Sequence, residues 1–588
     1  MSLIKARMRY LRQGNKLMYN FYRNLVNREA KKLRRRYYTS QVERLATVDP
    51  GRWWKDVRSF LGLNSTSIPI SKSTDSTAEE INDFFQSVSA DMSPLQPFSD
   101  TVSDIPERFL LDVDEVQRAL FQLNRRKSPG PDGIPTWILC DFADVLAFPV
   151  THIFNSTMIE GSLPTVWRQA DVVPIPKVNP PRSITSDLRP ISLTPVLSKC
   201  VESFVVKWLL DSIGPKLDPD QFGNIKGRST THALLRMLHD WSTSSDKAQA
   251  MVRILLVDFS KAFDLIDHNR LMTKLCSLEV PTILIRWIHA FLYQRQQRVR
   301  LQENISGWLS INGGVPQGTK LGPILFLVTI NDLSLALPTV KYVDDTTIYE
   351  AIPRGGVSQL QTQADSLQQW CQSNGARINT KKTSEIRIDF SKFPGECSPV
   401  VIDDREISVV SSSKLLGVMI CDSLTWDENT TLICRKANQR LHFLVNLKRA
   451  GLPSLDLVRL YCSFIRPILE YSSCVWHFAL TKSDTERIEK VQQRALRIIY
   501  GFDRTYESCL SESSLESLEE RRLNCCKQLF DAIKCSGHVL HDLLPPEREL
   551  CYSLRKSRAR EPPLCHTGRS AKSFINACLK TFQRYYYT

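Results

Sequence analysis

Long apolar runs are missing from this 588-residue sequence. The most apolar stretch, Gly322-Pro323-Ile324-Leu325-Phe326-Leu327-Val328, stops at Asn331-Asp332, short of the roughly 18 to 20 residues a spanning helix needs, so no membrane segment is predicted. Met1 to Tyr10 has basic residues but no apolar block leading to a small-residue cleavage site, and no secretory signal is expected. No Cys-x-x-Cys pair occurs among the 16 cysteines, a pattern of reduced, mostly buried thiols. The expectation is a protein without disulfides, at work in nucleus and cytoplasm. There is also no Gly-x-Ser-x-Gly elbow, no Gly-x-x-x-x-Gly-Lys-Ser/Thr loop and no repeat of fixed period, so a triad hydrolase, an NTPase motor and a solenoid lack support.

Acidic residues are scarce at both ends. Residues 1–40 carry twelve Lys or Arg against one acid, Glu29, and residues 551–588 carry eight against one, Glu561, which leaves a slightly acidic middle in a chain of net charge +15. In the first segment aromatics are interleaved with the charge (Tyr19, Phe21, Tyr22, then Lys31-Lys32-Leu33-Arg34-Arg35-Arg36-Tyr37-Tyr38). Such a composition suits gripping phosphates while rings stack on bases. A solvated helix face or a nuclear localisation signal at Lys31 to Arg36 is the plainer alternative.

Hydrophobic residues at 42% and charged residues at 24% are ordinary globular usage, and the length suggests several packed units. The pattern predicts a basic helical segment over 1–62, with Trp53, Trp54 and Phe60 able to dock it. A Ser/Thr/Asp/Pro-rich linker over 63–105 would wrap a short helix from Ala78 to Val88. A helix from Leu111 to Arg125 meets Lys127-Ser128-Pro129-Gly130-Pro131-Asp132-Gly133-Ile134-Pro135, which cannot be regular. Strands are expected at Asp171–Ile175, Arg253–Val257, Val299–Leu301, Val340–Val343, Thr346–Tyr349, Glu385–Ile388 and Leu415–Ile420. Arg435 to Tyr500 is almost wholly helical by its three-and-four spacing. The reading is an α+β core followed by a helical region, with unit boundaries near 106–250, 251–425, 426–502 and a basic 503–588.

Tyr342-Val343-Asp344-Asp345-Thr346-Thr347-Ile348-Tyr349 sets two adjacent acids between β-prone runs, at a predicted hairpin tip. Adjacent carboxylates repel, and a hard divalent cation with oxygen ligands is the natural neutraliser. An isolated Asp-Asp is more often an ordinary turn. Asp258 changes that balance: it ends the buried-strand run Arg253-Ile254-Leu255-Leu256-Val257, so its carboxylate emerges at an edge of the same sheet. The three acids could then hold two metal ions about 3.5–4 Å apart, the arrangement for phosphoryl transfer. Asp264 and Asp267 read as solvated helix or cap positions.

Asp258-Phe259-Ser260-Lys261-Ala262-Phe263-Asp264, Gly314-Val315-Pro316-Gln317-Gly318 and Tyr342-Val343-Asp344-Asp345 stand in the order and at the intervals of reverse transcriptases, which the sequence therefore resembles. Arg189-Pro190-Ile191-Ser192-Leu193 and Ile465-Arg466-Pro467-Ile468-Leu469-Glu470-Tyr471 resemble the non-LTR (LINE-like) retrotransposon class. The resemblance implies an α+β right-hand polymerase with an antiparallel palm sheet: fingers and the start of the palm over 106–250, palm over 251–425, and a helical thumb-like 426–502. It implies RNA-directed DNA polymerase activity with two Mg²⁺ ions, an RNA template, a DNA or RNA primer and deoxynucleoside triphosphates.

By that resemblance Asp258, Asp344 and Asp345 are the catalytic acids and metal ligands, joined by the backbone carbonyl of Phe259. Phe263 would face the sugar, its ring colliding with a 2′-hydroxyl, and Gln317 would stand near the sugar and template pair. Lys177 and Arg189 resemble a clamp on the triphosphate. Lys382 matches a lysine that neutralises departing pyrophosphate, with Lys381 as rival. Full-length members carry an endonuclease before the polymerase and no room for one is seen here, so a separate endonuclease is a further expected partner. A catalytically inactive RNA-binding relic and an RNA-dependent RNA polymerase are the rival functions. Cys535-x-x-His538-x-x-His541, with Cys525-Cys526 upstream, has poor spacing for a structural zinc site.

Overall fold

In the computed structural model the described residues are 2–46, 75–98, 105–178, 181, 183, 187–246, 250–391, 397–547 and 560–582. Trp53, Trp54 and Phe60 lie outside them. The chain divides into two compact units, residues 66–416 and residues 1–65 with 417–588. The boundary at 416/417 falls inside the expected 251–425 segment, and 106–250 lies in one compact unit with 251–416.

The 66–416 unit is built on two sheets. In the first, Gln169–Pro176 pairs antiparallel with Leu188–Leu193 and parallel with Gln296–Leu301, and the latter also carries Asn304–Ile305 and Leu309–Ser310. The expected linker holds the helix Asp75–Ser87, and its Ala78 and Ile81 are fully buried against Val172, Leu188, Val299 and Leu301 of this sheet. Three- and four-residue spacing of Ala78, Ile81 and Phe85 gives the helix one apolar face, so burial fixes a segment whose polar composition suggested a tether. Asn82 Nδ2 donates to the Gly307 carbonyl (3.0 Å), and the Glu79 carboxylate accepts from Gly307 N (2.8 Å).

The second sheet has Met251–Val257 at its centre. Asp345–Ile352 lies antiparallel on one side with Thr339–Tyr342 beyond it; Ser384–Ile388 lies antiparallel on the other, where Ser408–Val409 adds a short parallel edge. Met251–Val257 reads as a nearly unbroken apolar run because the sheet is covered on both faces. Its exception, Arg253, is buried and forms a two-point contact with the fully buried Glu385 (Nε to Oε1 2.7 Å, Nη2 to Oε2 2.9 Å), which Arg387 also reaches. Leu415–Ile420 is not one strand: Leu416 and Gly417, with φ of 45° and 91°, separate Ser412–Leu415 from Val418–Cys421. The proline- and glycine-rich 127–135 is irregular, and the preceding helix is Val113–Phe121, started by Asp112 accepting from Glu115 N (2.7 Å).

The described residues of the other unit are mainly helical, with the short strand Val418–Cys421. Its basic amino-terminal helices, Ser2–Arg12 and Lys16–Ala46, precede the helices that follow residue 426. Asp427–Arg449 and Lys482–Tyr500 pack together, and Leu441, Leu444, Ile488 and Leu496 are among their buried residues. Between them the chain makes a wide π-helical turn at Tyr461–Ile465, directly before Arg466-Pro467; proline lacks the N–H that regular continuation requires. Leu518–Ile533 opens with a reciprocal Ser517–Glu520 cap and packs on Phe574–Phe582. His541 Nδ1 bonds the Ile533 carbonyl (2.9 Å) and His538 Nδ1 accepts from Leu540 N (3.1 Å), so both imidazoles serve the local backbone. All fifteen cysteines among the described residues are free thiols.

Candidate active site

Met251–Val257 ends one residue before Asp258, and its register sets Val257 opposite Thr346. One step further brings Asp258 level with Asp345. Tyr342 pairs with Asp345, so the hairpin loop is only Val343-Asp344: Asp344 is at the tip, and Asp345 opens the returning strand instead of sharing the tip. Val343 takes φ +60°, a conformation that costs a β-branched residue about 1–3 kcal/mol and that glycine usually supplies in two-residue hairpins.

Surrounding structure holds this strained turn. Gln221 is almost fully buried, and its Oε1 accepts from Val343 N (2.9 Å) and Gly223 N (2.8 Å). Phe222 N donates to the Lys341 carbonyl (2.7 Å), and Lys341 N to that of Asp220 (2.9 Å). The Lys341 side chain is fully buried, with Nζ 2.6 Å from Asp218 Oδ2 and 2.8 Å from the Leu333 carbonyl.

On the other side of Asp258, Asn379 Nδ2 donates to its Oδ2 (2.9 Å), Asn379 N donates to its carbonyl (2.7 Å), and Lys382 Nζ is 3.6 Å from Oδ2. Burial pushes the Asp344 carboxyl above the usual carboxylate range; the Asp258 charge adds to this while Arg189 and Lys382 oppose it. Asp345 is pushed up to about 6, by desolvation first and then by Asp344 and Asp258. Its surface is still exposed to water, so the crowding of like charge is the part a cation relieves.

One cleft collects the remaining residues singled out from the sequence. Asp258, Phe259, Asp344, Lys177, Arg189, Phe263, Gln317 and Lys382 all line it; Asp345 and Lys381 are not in its wall. Burial lowers the Lys177 pKa, with the like charges of Lys382 and Arg189 adding to the effect, as expected where cations converge on an anion site. The Phe263 ring stacks on Phe326, centroids 4.8 Å apart and planes 26° apart, which fixes it while leaving it only partly buried.

Several lining residues escaped the sequence reading. Phe84 and Phe85 come from the supposed linker, and Phe84 stacks its ring on Lys261 Nζ at 4.3 Å. Asn379 sits within the Asn-Thr-Lys-Lys-Thr run that pointed to Lys382, and its tie to Asp258 needs the fold to be seen. Asp264 is corrected: it is no solvated cap but a cleft residue bonded to Gln317, whereas Asp267 does cap His268–Ser277 by accepting from Arg270 N.

Asp258 and Asp344, with Asp345 beside them, offer hard carboxylate oxygens; burial first, and then the neighbouring acid charges, raise the carboxyl pKa of Asp344 and Asp345, and oxygen donors of this kind suit Mg²⁺. Among the described residues no group of three or more acidic, histidine or cysteine side chains is drawn together closely enough to hold a metal ion. No described helix is long and apolar enough to cross a membrane.

Residues 175–420, which contain every one of these acids, match the family described as reverse transcriptase (RNA-dependent DNA polymerase). A shorter stretch, 426–466, matches one described as alkylated DNA repair protein alkB homolog 8, N-terminal. The chain is 28% identical over 406 residues to the RNA-directed DNA polymerase from mobile element jockey of Drosophila melanogaster, covering 66% of this chain and 44% of that protein. It is 27% identical over 478 residues to the probable RNA-directed DNA polymerase from transposon BS of the same species (76% and 51%). With the retrovirus-related Pol polyprotein from type-1 retrotransposable element R1 of Bradysia coprophila it shares 25% over 407 residues (67% and 40%). The chain thus spans about half the length of these relatives. It carries a reverse transcriptase domain and is related to the RNA-directed DNA polymerases of non-LTR, LINE-like retrotransposons.

Proposed function

We propose that this chain is an RNA-directed DNA polymerase that extends a DNA or RNA primer on an RNA template, with residues 106–250 serving as fingers, 251–425 as palm and 426–502 as thumb. The observation that carries this reading is the meeting of Asp258 with Asp344 and Asp345 at one end of one sheet, beside a cleft that Asp258 and Asp344 line together with Lys177, Arg189 and Lys382. Two Mg²⁺ ions held by Asp258 and Asp344, with Asp345 and the Phe259 carbonyl alongside, would supply charge stabilisation for the primer 3′-oxygen and the triphosphate. The protein's own part is positional. Asn379 orients Asp258, Gln221 orients the Val343-Asp344 turn, Lys177 and Arg189 draw the triphosphate in, and Lys382 stands where negative charge departs. Phe263, braced by Phe326, crowds a 2′-hydroxyl and favours deoxynucleotides. Basic aromatic helices before residue 47 suit the phosphate backbone of the template. The nick that furnishes a primer would come from an endonuclease, in the nucleus.

Primer extension on an RNA template with Mg²⁺, comparing wild type with Asp344→Asn, tests this. Deoxynucleotide synthesis that falls at least about a hundredfold in the variant is expected, from loss of a ligand carrying developing charge. RNA binding without synthesis by the wild type would instead favour a non-catalytic RNA-binding protein, and equal use of ribonucleotides an RNA polymerase.

A further inference from the structure

Gln317 has little freedom left in its backbone. Its carbonyl accepts from Ser192 N (2.7 Å), and the next residue, Gly318, has φ +123° with Ser192 O 2.7 Å from where a Cβ would stand. What remains free is the side-chain amide, which offers one acceptor and two donors and can present either to the cleft. Gln317 Nε2 donates to Asp264 Oδ1 at 3.0 Å. An ionised carboxylate only accepts, so this contact turns the amide nitrogen toward Asp264 and leaves Oε1 for a hydroxyl donor.

Asp264 is itself fixed by stitching between the two loops. Asp264 N donates to the Lys261 carbonyl (2.9 Å), Gly314 N to that of Ile266 (2.7 Å) and Val315 N to that of Phe263 (2.9 Å). A Cβ on Gly314 would stand 2.8 Å from the Asp264 carbonyl oxygen, so the loops are in contact backbone to backbone. Burial raises the Asp264 pKa, while the Gln317 amide and the cations of Lys261, Lys177 and Arg189 favour its charged form.

We propose that Asp264 is a positioning residue for nucleotide selection: it sets the orientation of the Gln317 amide, so that this amide and the adjacent Phe263 ring together read the sugar of the incoming nucleoside triphosphate. The proposal rests on the polymerase reading and goes beyond it, because it assigns a role to an acid outside the metal-binding set. In this role Asp264 acts on the substrate through Gln317. Removing its acceptor frees the amide and weakens nucleotide capture and sugar discrimination, while Asp258, Asp344 and Asp345 keep their places.

The test is steady-state primer extension with the full chain, reading KM for a deoxynucleotide, kcat, and the preference for deoxy- over ribonucleotide, with melting temperature as the control for folding. For Asp264→Ala we expect KM to rise about tenfold or more with kcat changed less than about threefold, and the sugar preference to narrow. Asp264→Asn keeps the shape but permits either amide orientation, and should fall between wild type and Asp264→Ala. Gln317→Glu sets two carboxylates together and should resemble Asp264→Ala, and the double variant Asp264→Asn/Gln317→Glu, in which an amide again faces a carboxylate, should regain much of the loss. An active wild type whose Asp264→Ala variant leaves KM and sugar preference within about twofold overturns this proposal and spares the polymerase reading. So does a purely additive double variant, or a loss confined to kcat. A wild type that extends no primer overturns both.

Discussion

Gly223→Ala probes the strained turn directly. Gly223 has no positive φ, so the substitution is purely steric. The new Cβ would lie 2.4 Å from Val343 Cγ2, 2.5 Å from Val343 N and 3.0 Å from the Tyr342 carbonyl carbon. Ordinary carbon contacts begin near about 3.5 Å, so roughly 1 Å must be recovered. Rotating the Val343 side chain clears only the first contact; the second is backbone, so the hairpin itself must move. Gly223 cannot easily retreat, because Gln221 Oε1 holds Gly223 N and Phe222 N is tied to Lys341, on the strand that would be pushed. The expected result is a displacement of the Val343-Asp344 loop of about 1 Å relative to Asp258, enough to cost on the order of a hundredfold in catalytic rate. Overpacking should cost about 1–3 kcal/mol of stability besides. Single-turnover primer extension alongside thermal melting separates the two effects. Extension within about threefold of wild type would refute the argument that this turn is rigidly placed. Gln221→Met, which leaves Val343 N and Gly223 N without their acceptor, should slow synthesis in the same assay at about 1–3 kcal/mol of stability.

Phe263→Val should raise ribonucleotide incorporation relative to deoxynucleotide by about tenfold or more, measured in competition; an unmoved ratio would remove the steric account of sugar choice. Arg253→Leu strands the fully buried Glu385, and should cost about 3 kcal/mol in denaturant unfolding, at the lower end for a broken buried pair because Arg387 still reaches that carboxylate. Burial, then the charge of Arg522, hold the His477 imidazole down at about 4. The folded chain therefore binds that proton less readily than the unfolded chain, and stability present above about pH 6.5 is lost as pH falls toward 4. Melting temperatures over that range should decline less in His477→Gln than in wild type; equal slopes would show that the imidazole is not responsible.

The strands were legible where side-chain pattern alone decides them. Arg253–Val257 is a mostly apolar run too short for a helix, and Thr346–Tyr349 is a β-prone run directly after the two acids. Leu188–Leu193 escaped because Pro190 and Arg189 break the apolar pattern, and only pairing with Gln169–Pro176 makes it a strand. That Asp258, Asp344 and Asp345 stand at one end of one sheet was readable from residue type and order along the chain. Asp264 was not, since it differs from a solvated cap only by the approach of Gln317 from fifty residues away. Gln221, Gly223 and Asn379 support the acids through contacts that only the folded chain brings together, which leave no trace in composition or periodicity. Phe84 and Phe85 were masked by polar neighbours in a segment that a short helix rescues by burying Ala78 and Ile81.

The helical unit is assembled from the two ends of the polypeptide, residues 1–65 and 417–588. Ribosomes deliver the first of these long before the second: roughly 370 residues of intervening synthesis, at about 5–20 residues per second, is a wait on the order of 20 to 70 seconds. During that interval the nascent Ser2–Arg12 and Lys16–Ala46 helices have none of their later tertiary neighbours, while the 66–416 unit can already close around its own sheets. Translation that stalls before residue 417 therefore yields an assembled cleft trailing a cationic, aromatic tail, a species prone to capture by whatever polyanion is nearest.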